Sequence, residues 1–131
     1  MSELVHLFVN GEGMSGGSVH HAIANAKFLG DVATAPRYRF FSVRDEFPGL
    51  FLVEENGVPV PGELYETDYA TVRDRLLPEE PAELELSIIE LADGAGALGL
   101  HLRKTALGAP GVTDISALGG WRAYRASRDR G

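Results

Sequence analysis

The stretch "VNGEGMSGGSVHHAIANAKFLG", Val9 to Gly30, holds five of the chain's sixteen glycines and two adjacent histidines. It follows "ELVHLFV", Glu3 to Val9, a β-branched and aromatic run that reads as a buried strand. Asn10-Gly11 ends that strand and opens a glycine-rich loop. Ser18 stands where a helix cap belongs, because Val19, Ala22, Ile23, Ala26 and Leu29 follow the i, i+3, i+4, i+7 spacing and Gly30 supplies a stop. Strand, bare loop and helix are thus the expected opening.

Working outward, "RYRFFSV" and "LFLVEE" read as strands around the turn "RDEFPG", and "VPVPGELYE" as another that begins after prolines. Asp68 or Thr67 caps a short helix through Leu77, with Tyr69, Val72 and Leu76 on one face and Pro78 stopping it. "LELSIIELAD" and "ALGLHLRK" flank the turn "DGAG" as a hairpin, and "DISALGGWRAY" starts a last helix at Asp114 that Gly119-Gly120 weaken. "TALGAPGVT" reads as a long surface loop. About six strands against three helices indicate an α+β fold with a curved, mostly antiparallel sheet or open barrel.

The 131 residues amount to one domain's worth of chain, 1–131, with 44% hydrophobic and 24% charged residues, as in ordinary globular proteins. Nineteen acidic against twelve basic residues leave a net charge of −7, which repels nucleic acid and anionic lipid. The one basic cluster, "RAYRASRDRG" from Arg122 to Gly131, reads as a solvated, frayed terminus. The absence of cysteine excludes disulfides and thiolate chemistry. "MSELVHLFV" lacks the marks of a signal peptide and no later apolar run spans a bilayer, so a cytoplasmic protein is expected.

The loop offers backbone N–H groups from Gly11 to Gly17 that no bulky side chain screens, followed by a helix amino terminus; together these suit an anion. The glycine spacing fits neither the phosphate loop nor the dinucleotide fingerprint, so a small carboxylate suits it better than a nucleotide. With Ser18 as cap, His20 and His21 fall in the first turn, where the dipole keeps imidazole neutral and both rings lie off the apolar stripe. Adjacent histidines diverge by about 100°, which does not make a zinc site. Ser15 and Ser18 lack a nucleophile elbow. In "LLPEEPAELE", Glu79 and Glu80 follow a helix stop, where a carboxyl held against a sheet can act as acid or base, or simply lie in a solvated loop. His6, inside the first strand, reads as a packed or edge histidine.

The segments Leu7 to Val43, "FPGLFLV", "VPGELYE" and above all "DISALGGWRAY" resemble the carboxy-terminal domain of allophanate hydrolases, a relative of γ-glutamylcyclotransferases. The resemblance runs nearly end to end and implies a γ-glutamylcyclotransferase-like fold, a small mixed β-barrel with flanking helices. It also implies a ligand site at the loop after the first strand. In cyclotransferases that loop carries Y-G-S-L; here Asn10, Gly11, Glu12 and Gly13 stand in its place, and only the glycine is kept. The cyclotransferase acid/base matches Glu80, or Glu79 if the register slips, although the surrounding pattern is missing.

In allophanate hydrolases the similar domain follows an amidase and is similar to an enzyme that decarboxylates N-carboxycarbamate, with a first-helix histidine implicated; His21 matches it. The resemblance therefore implies a stand-alone relative that acts on a small carbamate-type acid in urea- or allophanate-type nitrogen metabolism. His21 and Glu80 are the expected catalytic residues, and Asn10, Gly11, Glu12, Gly13, Ser15 and His20 the expected substrate contacts, with no metal and no cofactor. Glu12 must point away from an anion or be protonated. The alternatives are a cyclotransferase working through Glu80 and a non-catalytic partner of an amidase encoded elsewhere. Expected partners are a small carboxylate, an amidase and, left open, a second copy in a homodimer; neither nucleic acid nor membrane is expected.

Overall fold

The structure, a computed structural model, describes residues 3–129. Its strands are β1 (Leu4–Val9), β2 (Lys27–Ala33), β3 (Tyr38–Val43), β4 (Phe47–Leu52), β5 (Pro61–Asp68), β6 (Leu84–Glu90), β7 (Gly96–Leu102) and β8 (Val112–Asp114). They form one mixed sheet in the order β2-β5-β1-β7-β4-β3-β8, with β6 on β7, curled into a half-barrel. The expectation of α+β with a curved sheet holds. No helix among the described residues is long and apolar enough to cross a membrane.

β1 ends with Leu7, Phe8 and Val9 buried in succession, as a strand covered on both faces must be. Around it pack Phe40, Leu50, Tyr65, Leu76 and Ile89 in the main core. After β5 the chain turns helical at α1 (Tyr69–Thr71), continues as a π turn over Val72–Leu76 and ends as a 3-10 turn over Leu77–Glu79. The Asp68 carboxylate caps this segment by accepting the Thr71 N–H at 2.8 Å, and Val72 and Leu76 bury its inner face.

Three expectations are corrected. The helix expected over 18–30 is a single 3-10 turn, His20–Ile23, capped by Val19 without a side-chain bond, after which Lys27–Ala33 becomes β2. Pairing of β2 with β5 from Lys27↔Glu66 to Ala33↔Pro61 outweighs the local helix preference of the three alanines. Ala22 and Ile23 are buried as the stripe requires, but Leu29 is exposed at a bulge beside Gly30, whose φ of +146° suits glycine. The last helix begins after Gly119-Gly120 rather than at Asp114, which ends β8; it is α2, Trp121–Asp129. The tail is not frayed up to Asp129: Trp121 and Tyr124 are buried, while Arg122, Arg125 and Arg128 pair with Glu63, Glu12 and Asp45 at 3.1, 3.0 and 3.1 Å. Arg130 and Gly131 lie outside the described residues.

Candidate functional site

β7 pairs in parallel with β1 at Leu7↔Leu98 and then with β4 at Leu50↔His101, on one and the same path through the sheet. The two strands must part where β7 passes from one to the other. Between them opens a cavity of about 340 Å³, with Leu100 on its lining, the Asn10–Gly13 loop as one wall and the Arg44–Pro48 turn as the other. That volume is typical of small-molecule sites. Gly11 is required there by contact, since a Cβ would come within 2.6 Å of the Pro48 ring. The N–H groups of Gly11, Glu12 and Gly13 have no partner among the described residues, so they are available to a ligand.

The Glu12 carboxylate points away from the ligand space. It accepts the Trp121 indole N–H at 2.6 Å, the Ser18 N–H at 3.1 Å and an Arg125 guanidinium N–H at 3.0 Å. Burial raises its pKa, but the Trp121, Ser18 and Arg125 contacts together bring it below the usual carboxylate range, so it is ionised. α2 holds the opposite wall as well: the Tyr124 hydroxyl and Arg128 both bind Asp45, which with Arg44 occupies the left-handed region at φ of +60° and +53°.

Ser15 does not line the cavity. Its N–H and hydroxyl donate to the Glu63 carboxylate at 2.7 and 3.0 Å, where Tyr65 and Arg122 also donate. Ser15 therefore anchors the loop. His20 lies off the lining too, with Nδ1 at 2.9 Å from the Gly13 carbonyl and its ring tilted against Tyr65.

His21 stands outside the cavity as well, its side chain 65% exposed. Its Nδ1 is 3.1 Å from the Ser18 carbonyl and its Nε2 is 2.8 Å from a Glu79 carboxylate oxygen. Both partners are acceptors, so both contacts are hydrogen bonds when the ring carries two protons. The four-residue 3-10 turn supplies little of the helix dipole expected to act on the ring, which faces two oxygens instead.

Glu79 and Glu80 both line the cavity. The Glu80 side chain makes no hydrogen bond to the described residues, and burial, followed by the charge of Glu79, pushes its carboxyl up to about 7. The site thus gathers Asn10, Gly11, Gly13 and Glu80, turns Glu12 outward, and leaves Ser15, His20 and His21 off its lining. In the sequence the Arg44–Pro48 wall reads only as a turn, and its left-handed Arg44-Asp45 pair gives no signal of a cavity.

This half-barrel with a cleft between parting parallel strands defines a protein of the γ-glutamylcyclotransferase-like fold. A γ-glutamyl cyclotransferase shares it at 11% identity and a TM-score of 0.52, covering 77% of this chain and 68% of that one. The family model of the allophanate hydrolase C-terminal domain matches residues 5–126, and the chain belongs to that family. A uropathogenic E. coli-specific protein is 32% identical, with a TM-score of 0.86 over 95% of this chain and 97% of that one. Kluyveromyces lactis allophanate hydrolase is similar at 23% identity and a TM-score of 0.89, covering 96% of this chain but only 22% of that one. A comparison with curated proteins gives no match.

Proposed function

We propose that the chain binds a small carbamate-type acid such as N-carboxycarbamate in the cavity between β1 and β4, and that Glu80 delivers the proton that releases carbon dioxide. The supporting observation is a carboxyl raised to about 7 on the cavity wall, without a protein partner, in the same cavity as a loop of unpartnered N–H groups. A group titrating near neutrality is suited to give up a proton during turnover. The loop amides hold one ligand carboxylate, protonated Glu80 gives its proton to the central nitrogen, and the C–N bond to the other carboxylate breaks. The bonding pair stays on nitrogen, carbon dioxide and carbamate leave, and Glu80 regains a proton from water. Positioning and one proton suffice, because the bond is weak once nitrogen is protonated.

The test supplies N-carboxycarbamate in situ from an allophanate-cleaving amidase and follows carbon dioxide release with and without this chain. Acceleration that Glu80→Gln abolishes supports the proposal. Malonate binding without acceleration overturns the catalytic part in favour of a binding partner for an amidase. Release of 5-oxoproline from a γ-glutamyl dipeptide, lost in the same variant, overturns it in favour of cyclotransfer.

A further inference from the structure

The resemblance to allophanate hydrolases implies a catalytic histidine at position 21, yet the ring of His21 lies off the cavity lining and is bonded to the carboxylate of the residue before Glu80. Two oxygen atoms fix the position of the ring. The Ser18 carbonyl lies 3.1 Å from Nδ1 and a Glu79 carboxylate oxygen 2.8 Å from Nε2, so the ring is seated on the one carboxylate adjacent to Glu80 in the chain.

We propose that His21 is a positioning residue that works through Glu79: by neutralising Glu79 it sets how readily the Glu80 carboxyl holds its proton, without itself touching a ligand. The inference rests, for its effect on turnover, on the reading of Glu80 as the proton donor.

The other charges around Glu80 are already engaged. Glu12, from the β1 loop, is bound by Trp121 and Arg125. Arg44 and Glu46, from the β3–β4 turn, pair with each other at 3.2 Å, and Arg44 also holds Glu83 before β6 at 2.7 Å. His20 contacts the Gly13 carbonyl. On the helical segment Arg73 and Asp74 pair with each other in solvent. After burial, it is the charge of Glu79 that raises Glu80, and the Glu79 carboxylate is the one that meets a histidine ring rather than an arginine. Removing the imidazolium leaves Glu79 uncompensated, and Glu80 then holds its proton to higher pH. Removing the charge of Glu79 does the reverse.

The experiment reads the Glu80 side-chain carboxyl directly by carbon-detected NMR across pH 4 to 9 in the ligand-free chain, together with turnover (an operating range set by the about 7 midpoint). His21→Ala should raise the Glu80 midpoint by about half a unit or more, and Glu79→Gln should lower it by a similar amount. In the Glu79→Gln background, His21→Ala should lose at least half of its effect. His21→Lys, which restores a cation, should return the midpoint toward that of the parent, whereas His21→Gln should not. A Glu80 midpoint unmoved by His21→Ala, or moved equally with and without Glu79, overturns the proposal. So does a turnover loss in His21→Ala that His21→Lys leaves uncorrected while the midpoint is restored, because that assigns the imidazole a direct role. The titration needs no ligand, so its outcome stands apart from whether the cavity decarboxylates anything.

Discussion

Replacing Glu80 with glutamine should make the protein more stable at pH 8 and change it little at pH 5. In the folded chain, burial and then the charge of Glu79 raise this carboxyl from its usual 4.5 to about 7. Between those two values the folded state keeps a proton that the unfolded state has lost, so the group's contribution to stability falls as pH rises through that window and levels off above it. Each unit of pKa difference is worth about 1.4 kcal/mol, so a rise from 4.5 to about 7 places the ceiling near 3.5 kcal/mol. The carboxyl lines an open cavity where water screens it, so about 1–2 kcal/mol is the working figure. Glutamine keeps the shape and has nothing to titrate, and its other differences from glutamate do not depend on pH. Urea titrations of both proteins at pH 5, 6, 7 and 8 should show the gap opening in the direction of the variant as pH rises. A gap of constant size, or a variant that loses stability at pH 8 relative to pH 5, refutes the reasoning.

Glu63→Gln should destabilise by on the order of 2–3 kcal/mol in a thermal melt, since a 4% exposed carboxylate loses charge-assisted bonds from Ser15, Tyr65 and Arg122. Burial raises the Glu63 carboxyl, but the Ser15 N–H, Arg122, Tyr65 and the Ser15 hydroxyl bring it below its usual 4.5, so this stability is present above about 4.5 and the gap should narrow as pH falls through the lower folded value. Gly11→Ala should push the loop off Pro48, cost about 1–3 kcal/mol and weaken malonate binding measured by calorimetry. Thr34→Val should cost about 1–3 kcal/mol in chemical denaturation, because the Thr34 hydroxyl, fully buried, accepts the Val60 N–H at 3.0 Å and valine leaves that donor unpaired.

What could be read in advance was local. The apolar run into Val9, the Asp68 cap with its Val72 and Leu76 face, and the hairpin around "DGAG" are each decided within about ten residues, and each stands in the structure. β2 is not decided locally, because Phe28, Leu29 and Val32 satisfy either period and the choice is made by β5, about thirty to forty residues further along the chain. α2 does carry a local signal: Arg122, Arg125 and Arg128 recur every third residue beside Trp121 and Tyr124, the pattern of a docked helix whose cations meet fixed carboxylates. For the site, the β1 loop and Glu80 were legible, but where the imidazoles lie depends on a turn too short to aim them as a helix would.

The arrangement of α2 explains how an acidic chain builds a cavity suited to an acid. With a net charge of −7, the walls carry Glu12, Glu46, Glu79 and Glu80, and four ionised carboxylates would repel any anion from the loop amides. Each of the first three is turned onto a basic side chain: Glu12 onto the Arg125 guanidinium, Glu46 onto that of Arg44, and Glu79 onto the His21 ring. Two of these pairings depend on distant parts of the chain meeting, Glu12 with α2 and Glu79 with the turn after the loop. Glu80 is the wall carboxyl left without a partner, and burial keeps it neutral over half of the time up to about pH 7. The proton that stops Glu80 from repelling the proposed substrate is therefore the same proton it would deliver. Binding and proton delivery then weaken together as pH rises past that midpoint, whereas a purely structural cavity would hold its ligand unchanged.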